Sequence, residues 1–421
     1  MLNYFYLLAS RGRSVTAAIL TALVLTSLST FALAAKTPNQ SLSPKTYQAL
    51  NDIQTLLSES KFAEVEEGLK DLEENLNPGF GLALTYQIHA QLFLAQENSK
   101  QALNYFTKAL ALDAMKATQA VSLATNVAQL YLAEGQIAEA INVLQQRIEA
   151  AEVEKPGSTI AMAYISLGSA YQLKQDFKNA IIWLQQGIAR TDKPRENWLQ
   201  MLMAAHYQLK QYAEAAAVLD QLIVINESKE EYWLQQASLH QMMNQPKEAL
   251  KVLQLANVRN ILVKEDGLII LVQLLIMEGV PERAGRILLD LLEQNKIEIT
   301  EDNWKLLASA WLQSRERKKA IEAFIQAAEL SLAPDLFYRS AQLQFDESDF
   351  VGAIKNFARA RELGLDGKKA GLSLLMQGNA YFELEDYINA KVYFSKALKE
   401  PDATNAAKAW LDYMQQLDLL K

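Results

Sequence analysis

Apolar residues recur at helical spacing through most of the chain, in pairs of amphipathic segments joined by short polar breaks. In the stretch 164–189, large apolar residues follow three- and four-residue steps up to Tyr171 and again from Phe177. This spacing places them on one face of each of two helices. Gly168 and Ala180 lie on those faces, and small residues there let two helices cross closely. The pattern therefore predicts a packed pair of helices.

The same pattern recurs along the chain at intervals of 33 to 40 residues. The position of Ala180 can be identified ten times, and nine of the ten residues are alanine. These ladder residues are Val65, Ala102, Ala140, Ala180, Ala215, Ala249, Ala284, Ala320, Ala353 and Ala390. A large apolar residue follows four positions after each of them. Internal similarity at such a period is the signature of a solenoid, in which each unit buries its apolar face against its neighbours.

This helix-turn-helix unit resembles the tetratricopeptide repeat, whose length is about 34 residues. The resemblance implies an all-α fold: a right-handed α-solenoid of about ten repeats over residues 47–402. A lone amphipathic segment over 403–421, with Trp410 and Met414 on its apolar face, is expected to form a C-terminal capping helix. The longest expected connection between helices is 151–159.

The N-terminal residues have the features of an export signal. Two arginines precede an apolar run over 15–33, and an Ala-Leu-Ala sequence at its end provides a cleavage pattern. We therefore expect a signal peptide over 1–34 and a polar linker over 35–46. The alternative is an uncleaved N-terminal anchor, since 19 residues are just enough to span a bilayer. Both interpretations predict a periplasmic protein, attached to a membrane only through an uncleaved N-terminus or a partner.

Composition argues against several classes of protein. The formal charge of −8 argues against a nucleic-acid binder, which needs a basic surface. The absence of cysteine removes thiolate metal sites, thiol nucleophiles and the lipidated cysteine of a lipoprotein. No catalytic or phosphate-binding motif occurs. We expect His89, His206 and His240 to have core or interhelix roles, and we therefore predict no enzyme activity, no metal and no cofactor.

The first helices of a tetratricopeptide array line a concave groove, which in that family commonly holds an extended or helical segment of a partner protein. Amides suit this task because each side chain both donates and accepts hydrogen bonds. The family's groove positions fall mostly on amides here: Gln87, Gln91, Asn126, Gln129, Gln200, Tyr207, Gln235, Gln273, Tyr338, Arg339, Gln342 and Asn379. Simple solvation of an inner helix face is the alternative. Only Lys305 and Arg339 offer cations where some family members clamp a carboxylate, so a clamp for a C-terminal tail is not expected.

A closer resemblance extends over nearly the whole chain. The opening MLNYFYLLASRGR and the repeat stretch ISLGSAYQLKQDFKNAI are similar to periplasmic tetratricopeptide proteins encoded beside TonB–ExbB–ExbD systems in gammaproteobacteria. The resemblance implies a non-catalytic scaffold for protein–protein interaction, accessory to TonB energy transduction in iron–siderophore type uptake. TonB, ExbD or a TonB-dependent receptor would be the partner. The alternative is an adaptor in outer-membrane protein assembly, polysaccharide export or peptidoglycan synthesis. The sequence leaves the oligomeric state open.

Overall fold

The computed structural model of the protein describes residues 40–154, 157 and 160–417. Within these ranges the chain forms 21 α-helices and no β-strand. In chain order the helices are α1 Pro44–Ser58, α2 Phe62–Asn75, α3 Phe80–Ala95, α4 Ser99–Ala111, α5 Ala117–Ala133, α6 Ile137–Glu154, α7 Ala161–Leu173, α8 Phe177–Ile188, α9 Glu196–Gln208, α10 Tyr212–Ile225, α11 Glu230–Met242, α12 Pro246–Val258, α13 Glu265–Met277, α14 Pro281–Glu293, α15 Glu301–Gln313, α16 Arg317–Ser331, α17 Pro334–Asp346, α18 Phe350–Glu362, α19 Gly367–Glu383, α20 Tyr387–Ala397 and α21 Thr404–Gln416.

The helices from α1 to α20 form ten consecutive pairs, and α21 follows as a lone last helix. Every ladder residue lies near the start of a second helix and is 0% exposed, because the first helix of its own pair crosses there. The large residue four positions later is also buried in every pair. The prediction of an all-α helical-repeat fold with about ten repeats and a capping helix is thus confirmed.

The ten turns inside the pairs share one backbone conformation. In each turn the residue five positions before the ladder residue has a positive φ, between 57° and 76°. Only Gly135 and Gly279 are glycines, although this region of φ favours glycine. The preceding helix ends in the same way each time, so the same apolar faces meet in every pair.

Several boundaries differ from the sequence-based expectation. Helix α1 begins at Pro44 rather than at residue 47, because Ser43 accepts a hydrogen bond from the amide of Thr46 and proline fits the first turn. Helix α6 continues to Glu154, so the connection predicted over 151–159 is shorter. The expected signal peptide over 1–34 lies outside the described residues. Among the described helices, none is long and apolar enough to cross a bilayer.

The chain divides into two compact units at Glu227. Unit 1 contains α1 to α10, and unit 2 contains α11 to α21. In unit 2 the capping helix α21 stacks Trp410 on Phe394, with ring centroids 5.4 Å apart, and buries Met414. Tyr413 of α21 and Leu417, which follows this helix, are each 47% exposed.

Neighbouring pairs are also joined by polar contacts. In unit 2 the Glu230 carboxylate, at the start of α11, accepts from the main-chain amide of Lys264 at 3.3 Å, just before α13. Burial raises the pKa of Glu230, and hydrogen bonds from the Lys264 and Val263 amides act in the opposite direction. In unit 1 the Arg190 guanidinium binds Glu152 at 3.0 Å, which ties α8 back to α6.

Candidate protein-binding surface

All twelve predicted groove residues lie on first helices of the pairs. Unit 1 carries six of them on α3, α5 and α9, and unit 2 carries six on α11, α13, α17 and α19. They differ strongly in burial and in hydrogen bonding. These differences decide which of them a partner could contact.

Four amides in unit 1 lie on two first helices of one core cluster, and we call them the amide patch: Gln87, Gln91, Asn126 and Gln129. The spacing of three or four residues puts each pair on one face of its helix, α3 or α5. The two helices pack in one core cluster through residues such as Ala90 and Ala124. All four side chains are half-buried, and none forms a side-chain hydrogen bond within the part of the chain that the structure describes. Their donors and acceptors remain available to a partner.

The two predicted residues on α9 are more constrained. Gln200 donates from Nε2 to Glu196 Oε1 at 3.4 Å. The Tyr207 ring lies 5.9 Å from that of Tyr212, and burial raises the pKa of its hydroxyl. Both side chains are half-buried, as in the amide patch, but they already have internal contacts and so offer a partner less.

In unit 2 the predicted residues on α11 and α13 have opposite surroundings. Gln235 is only 8% exposed, and its Oε1 is covered by protein without a hydrogen-bond partner among the described residues. In this conformation that oxygen is out of reach of a partner, so Gln235 is a poor contact residue. Gln273 is exposed. It is therefore the stronger candidate on this part of unit 2.

The remaining predicted residues of unit 2 include one hydrogen-bonded pair. On α17 the Gln342 amide donates to the Tyr338 hydroxyl at 3.3 Å, and burial raises the pKa of that hydroxyl. Arg339, on the same helix, is exposed and has no ion pair among the described residues. On α19, Asn379 is half-buried and its Oδ1 is covered without a partner. Arg339 and Gln342 are the accessible members of this group.

Sequence reasoning missed the apolar part of the unit 2 surface. Leu234, Ile270 and Leu306 are half-buried on α11, α13 and α15, at positions that correspond to amides of unit 1. A detectable signal existed, because the stretch GLIILVQLLIM of α13 is apolar on nearly all sides. Such a helix is either fully enclosed or presents apolar side chains to a partner.

The three histidines have interhelix contacts. His89 is 2% exposed, bonds Glu73 through Nδ1 at 2.5 Å and stacks on Tyr105. His206 bonds Gln211 at 2.8 Å, and His240 forms the corresponding bond to Gln245 at 2.9 Å. Each of the last two joins the end of a first helix to the start of its second helix. No cluster of three or more metal-ligating side chains occurs within the described residues.

Lys305, the cationic residue on α15, already forms ion pairs within its own helix. Lys305 binds Glu301 at 3.0 Å and Asp302 at 2.9 Å, and these carboxylates raise its pKa. A carboxylate of a partner would have to displace them.

These features define an all-α helical-repeat protein whose first helices present polar and apolar side chains suited to holding a polypeptide segment. Two segments of the chain match a known repeat family: a family model described as "Tetratricopeptide repeat" matches residues 161–193 and 373–401. These segments correspond to the pairs α7–α8 and α19–α20. Repeats of this kind form protein–protein interaction scaffolds that are generally non-catalytic.

Several solved structures share the helical-repeat arrangement. A tetratricopeptide repeat protein from Parabacteroides merdae is 15% identical, with a TM-score of 0.37 over 68% of this chain and 94% of its own. PilW, a type IV pilus biogenesis factor, is 10% identical, with a TM-score of 0.37 over 52% and 94%. The TPR2AB domain of yeast Sti1, in a complex with pHSP90, is 16% identical, with a TM-score of 0.30 over 74% of this chain and 99% of its own. No curated protein matches the chain. At these levels of similarity the neighbours carry no statement about function.

Proposed function

We propose that this protein is a non-catalytic scaffold that binds a segment of a partner protein on the amide patch of unit 1. The supporting observation is that Gln87, Gln91, Asn126 and Gln129 are only half-buried, lie on two helices of one core cluster and have no hydrogen-bond partner among the described residues. A packed core does not need four such amides. A peptide backbone does offer what they lack, namely one donor and one acceptor per residue.

We further propose that the scaffold works in the periplasm as an accessory to a TonB system. The export-type N-terminus and the resemblance to tetratricopeptide proteins encoded beside TonB–ExbB–ExbD systems support this proposal. The bound segment would then belong to TonB, ExbD or a TonB-dependent receptor. The protein would hold that component in place and catalyse nothing itself.

Photo-crosslinking in living cells tests both parts of the proposal. The crosslinking amino acid replaces Gln91 on α3, and a matched control replaces Asn104, an exposed amide on α4 of the same pair. A second probe at exposed Gln273 reports on unit 2. Crosslinked proteins are identified by mass spectrometry, and fractionation of the same cells gives the location of the protein.

Each outcome has a defined meaning. Recovery of TonB, ExbD or a TonB-dependent receptor from Gln91, and not from Asn104, would support the surface and the pathway together. Recovery of outer-membrane assembly, polysaccharide-export or peptidoglycan machinery from Gln91 alone would keep the surface and replace the pathway. Equal crosslinking from Gln91 and Asn104 would show that the amide patch is not the binding surface.

A further inference from the structure

A cleft with a mixed polar and apolar lining opens beside the second helices of unit 2. It has a volume of about 600 Å³ and is lined chiefly by residues of α16 and α18. Glu329 of α16 and Lys355 of α18 contribute to its walls. Gln344 of α17 and Asn356 of α18 also line it, and each is only 6% exposed. The cleft therefore has two buried amides in its lining.

A chain of hydrogen bonds fixes the orientation of these amides. Asp349, at the start of α18, accepts from the Gly352 amide at 3.0 Å through Oδ1 and from Gln344 Nε2 at 2.8 Å through Oδ2. Gln344 Oε1 in turn accepts from Asn356 Nδ2 at 2.7 Å. A carboxylate can only accept, so Gln344 must turn its nitrogen to Asp349 and its oxygen to Asn356. Asn356 must then give its nitrogen to Gln344.

The last group in this chain is Asn356 Oδ1. It accepts no hydrogen bond within the described residues, and it is not sealed by protein as the oxygens of Gln235 and Asn379 are. Asn356 lines the cleft, and this oxygen is its remaining hydrogen-bond acceptor. The side-chain amides of Gln344 and Asn356 cannot be flipped, because a flipped Gln344 would direct its oxygen at the Asp349 carboxylate, which cannot donate a hydrogen bond.

The other repeats of the chain show that the fold does not require this arrangement. The position of Asn356 holds an apolar residue or glycine in all nine other repeats, namely Gly68, Tyr105, Val143, Trp183, Val218, Val252, Ile287, Ala323 and Tyr393. The position of Gln344 holds Tyr171 in the fourth repeat and Tyr381 in the tenth. A buried amide in place of an apolar side chain stabilises a core no better, because its desolvation has to be offset by hydrogen bonds.

Gly352 is the third residue, after Gln344 and Asn356, at which this repeat differs from the fourth and tenth repeats. In the fourth and tenth repeats the corresponding residues, Asn179 and Asn389, bind the second oxygen of the capping aspartate at 2.7 and 2.6 Å. Glycine leaves that oxygen of Asp349 free for Gln344. A Cβ at Gly352 would lie 2.1 Å from Gln344 Nε2 and 2.2 Å from Asp349 Oδ2, so any other residue would displace the hydrogen bond.

We propose that this cleft binds a main-chain peptide group of an extended segment of a partner protein, with Asn356 Oδ1 accepting its N–H. The lining carries two acidic and two basic side chains and no aromatic ring, which favours a ligand without net charge over a nucleotide or an anion. Lys355 and Glu329, on opposite walls, have no ion-pair partner among the described residues. They can pair with the charged or polar side chains that flank the bound peptide group.

The test uses the full-length protein and a defined probe. The probe is the blocked tripeptide acetyl-Ala-Ala-Ala-amide, and its analogue methylated on the main-chain nitrogens lacks the N–H donors. Binding is followed by NMR through the side-chain NH₂ signals of ¹⁵N-labelled asparagine, and the Asn356 signal is identified by its loss in Asn356→Val. We expect a saturable shift of that signal, with the methylated peptide binding about tenfold more weakly because one hydrogen bond is lost.

Asp349→Asn provides the decisive variant. Asparagine caps a helix as well as aspartate does, so the fold and the cleft are retained. The new carboxamide donates to Gln344 and so lets Gln344 and Asn356 reverse, which turns the NH₂ group of Asn356 into the cleft. The preference for the unmethylated peptide should then disappear. The proposal would be overturned if the wild-type protein shows no saturable shift, or if wild type and Asp349→Asn prefer the unmethylated peptide equally. Glucose serves as an uncharged control ligand without a peptide group, and a shift of the Asn356 signal on adding glucose alone would also overturn the proposal.

A second variant controls for loss of binding through misfolding and separates binding at the cleft from binding at the amide patch. The triple change Gln344→Tyr, Gly352→Asn and Asn356→Tyr installs the residues of the tenth repeat. We expect it to unfold at the same temperature as the wild type or higher and to lose the peptide response at the cleft. Binding of the same probe by this variant would contradict the proposal. Crosslinking from Gln91 should be unaffected, so failure of one surface leaves the other testable.

Discussion

The close crossing of α7 and α8 makes a quantitative prediction about Gly168. A Cβ built on Gly168 would lie 2.7 Å from Leu184 Cγ and 3.1 Å from the Leu184 main-chain nitrogen. Carbon atoms in contact are ordinarily about 3.5 Å apart, so the Gly168→Ala substitution requires a displacement of about 0.8 Å. The side chain of Leu184 cannot provide it freely, because Leu184 is 0% exposed.

A matched substitution separates this steric term from helix propensity. Gly81, in the first turn of α3, has no atom closer than 3.4 Å to a built Cβ. Alanine is favoured over glycine inside a helix by about 1 kcal/mol, so Gly81→Ala should be neutral or stabilising. Gly168→Ala has the same propensity gain but also overpacks a core contact, which costs about 1–3 kcal/mol. We therefore expect Gly168→Ala to be less stable than Gly81→Ala by about 1–3 kcal/mol.

Urea unfolding followed by circular dichroism gives the stability of each variant. Hydrogen exchange locates the effect, because long repeat arrays need not unfold as one unit. Exchange should accelerate in α7 and α8 of Gly168→Ala and stay unchanged in α17 and α18. In a double-mutant cycle, Gly168→Ala should cost less stability in a Leu184→Ala background than in the wild type, since Leu184→Ala removes the clashing atoms. A Gly168→Ala protein as stable as Gly81→Ala would refute the proposed crossing.

Two further changes test the polar contacts between repeats. Burial raises the pKa of Glu230 above its ordinary 4.5, so its ionisation costs the folded state stability as pH rises above that value. The urea midpoint of Glu230→Gln should therefore rise relative to that of the wild type as pH increases from 4 to 7. A difference between the two midpoints that does not change with pH would contradict this. Arg190→Leu removes hydrogen bonds to Glu152 and to the Tyr164 hydroxyl at 3.0 and 3.1 Å. We expect a loss of about 1–2 kcal/mol, with Arg190→Lys as an intermediate control, and an unchanged midpoint would show that the contact is unimportant.

The ladder of small residues was enough to predict the repeat fold, because each position has to fit between two crossing helices. Every ladder residue is fully buried, including Val65, the one member that is not alanine. The turns were less predictable. Eight of the ten positive-φ turn residues are not glycine, for example Gln175 and Arg315. The residue types at these positions therefore did not indicate their common backbone conformation. The close packing of the flanking helices holds them there.

The sequence predicted the helices of the candidate surface better than the environment of each side chain. Register along a helix states which face a residue occupies, and all twelve predicted residues lie on first helices. It does not state how deeply the neighbouring repeat covers that face. Gln235 and Gln273 occupy related faces of neighbouring first helices, yet one is 8% exposed and the other is exposed to solvent. Gln235 would consequently be a poor site for a crosslinking probe.

Repeats within one chain offer a physical control that a single-domain protein lacks. A position that the fold requires holds similar residues in every repeat, as the ladder does. An amide one turn before the end of the first helix recurs at Gln54, Gln91, Gln129, Gln273, Gln342 and Asn379, while serine or alanine stands there in the other four repeats. Packing therefore tolerates the amide without demanding it, as expected for a surface that meets a partner. Asn356 is the opposite case, a buried amide present in one repeat only. Burying the Asn356 amide costs desolvation free energy. The proposed binding of a peptide group in the adjacent cleft explains why this repeat retains it.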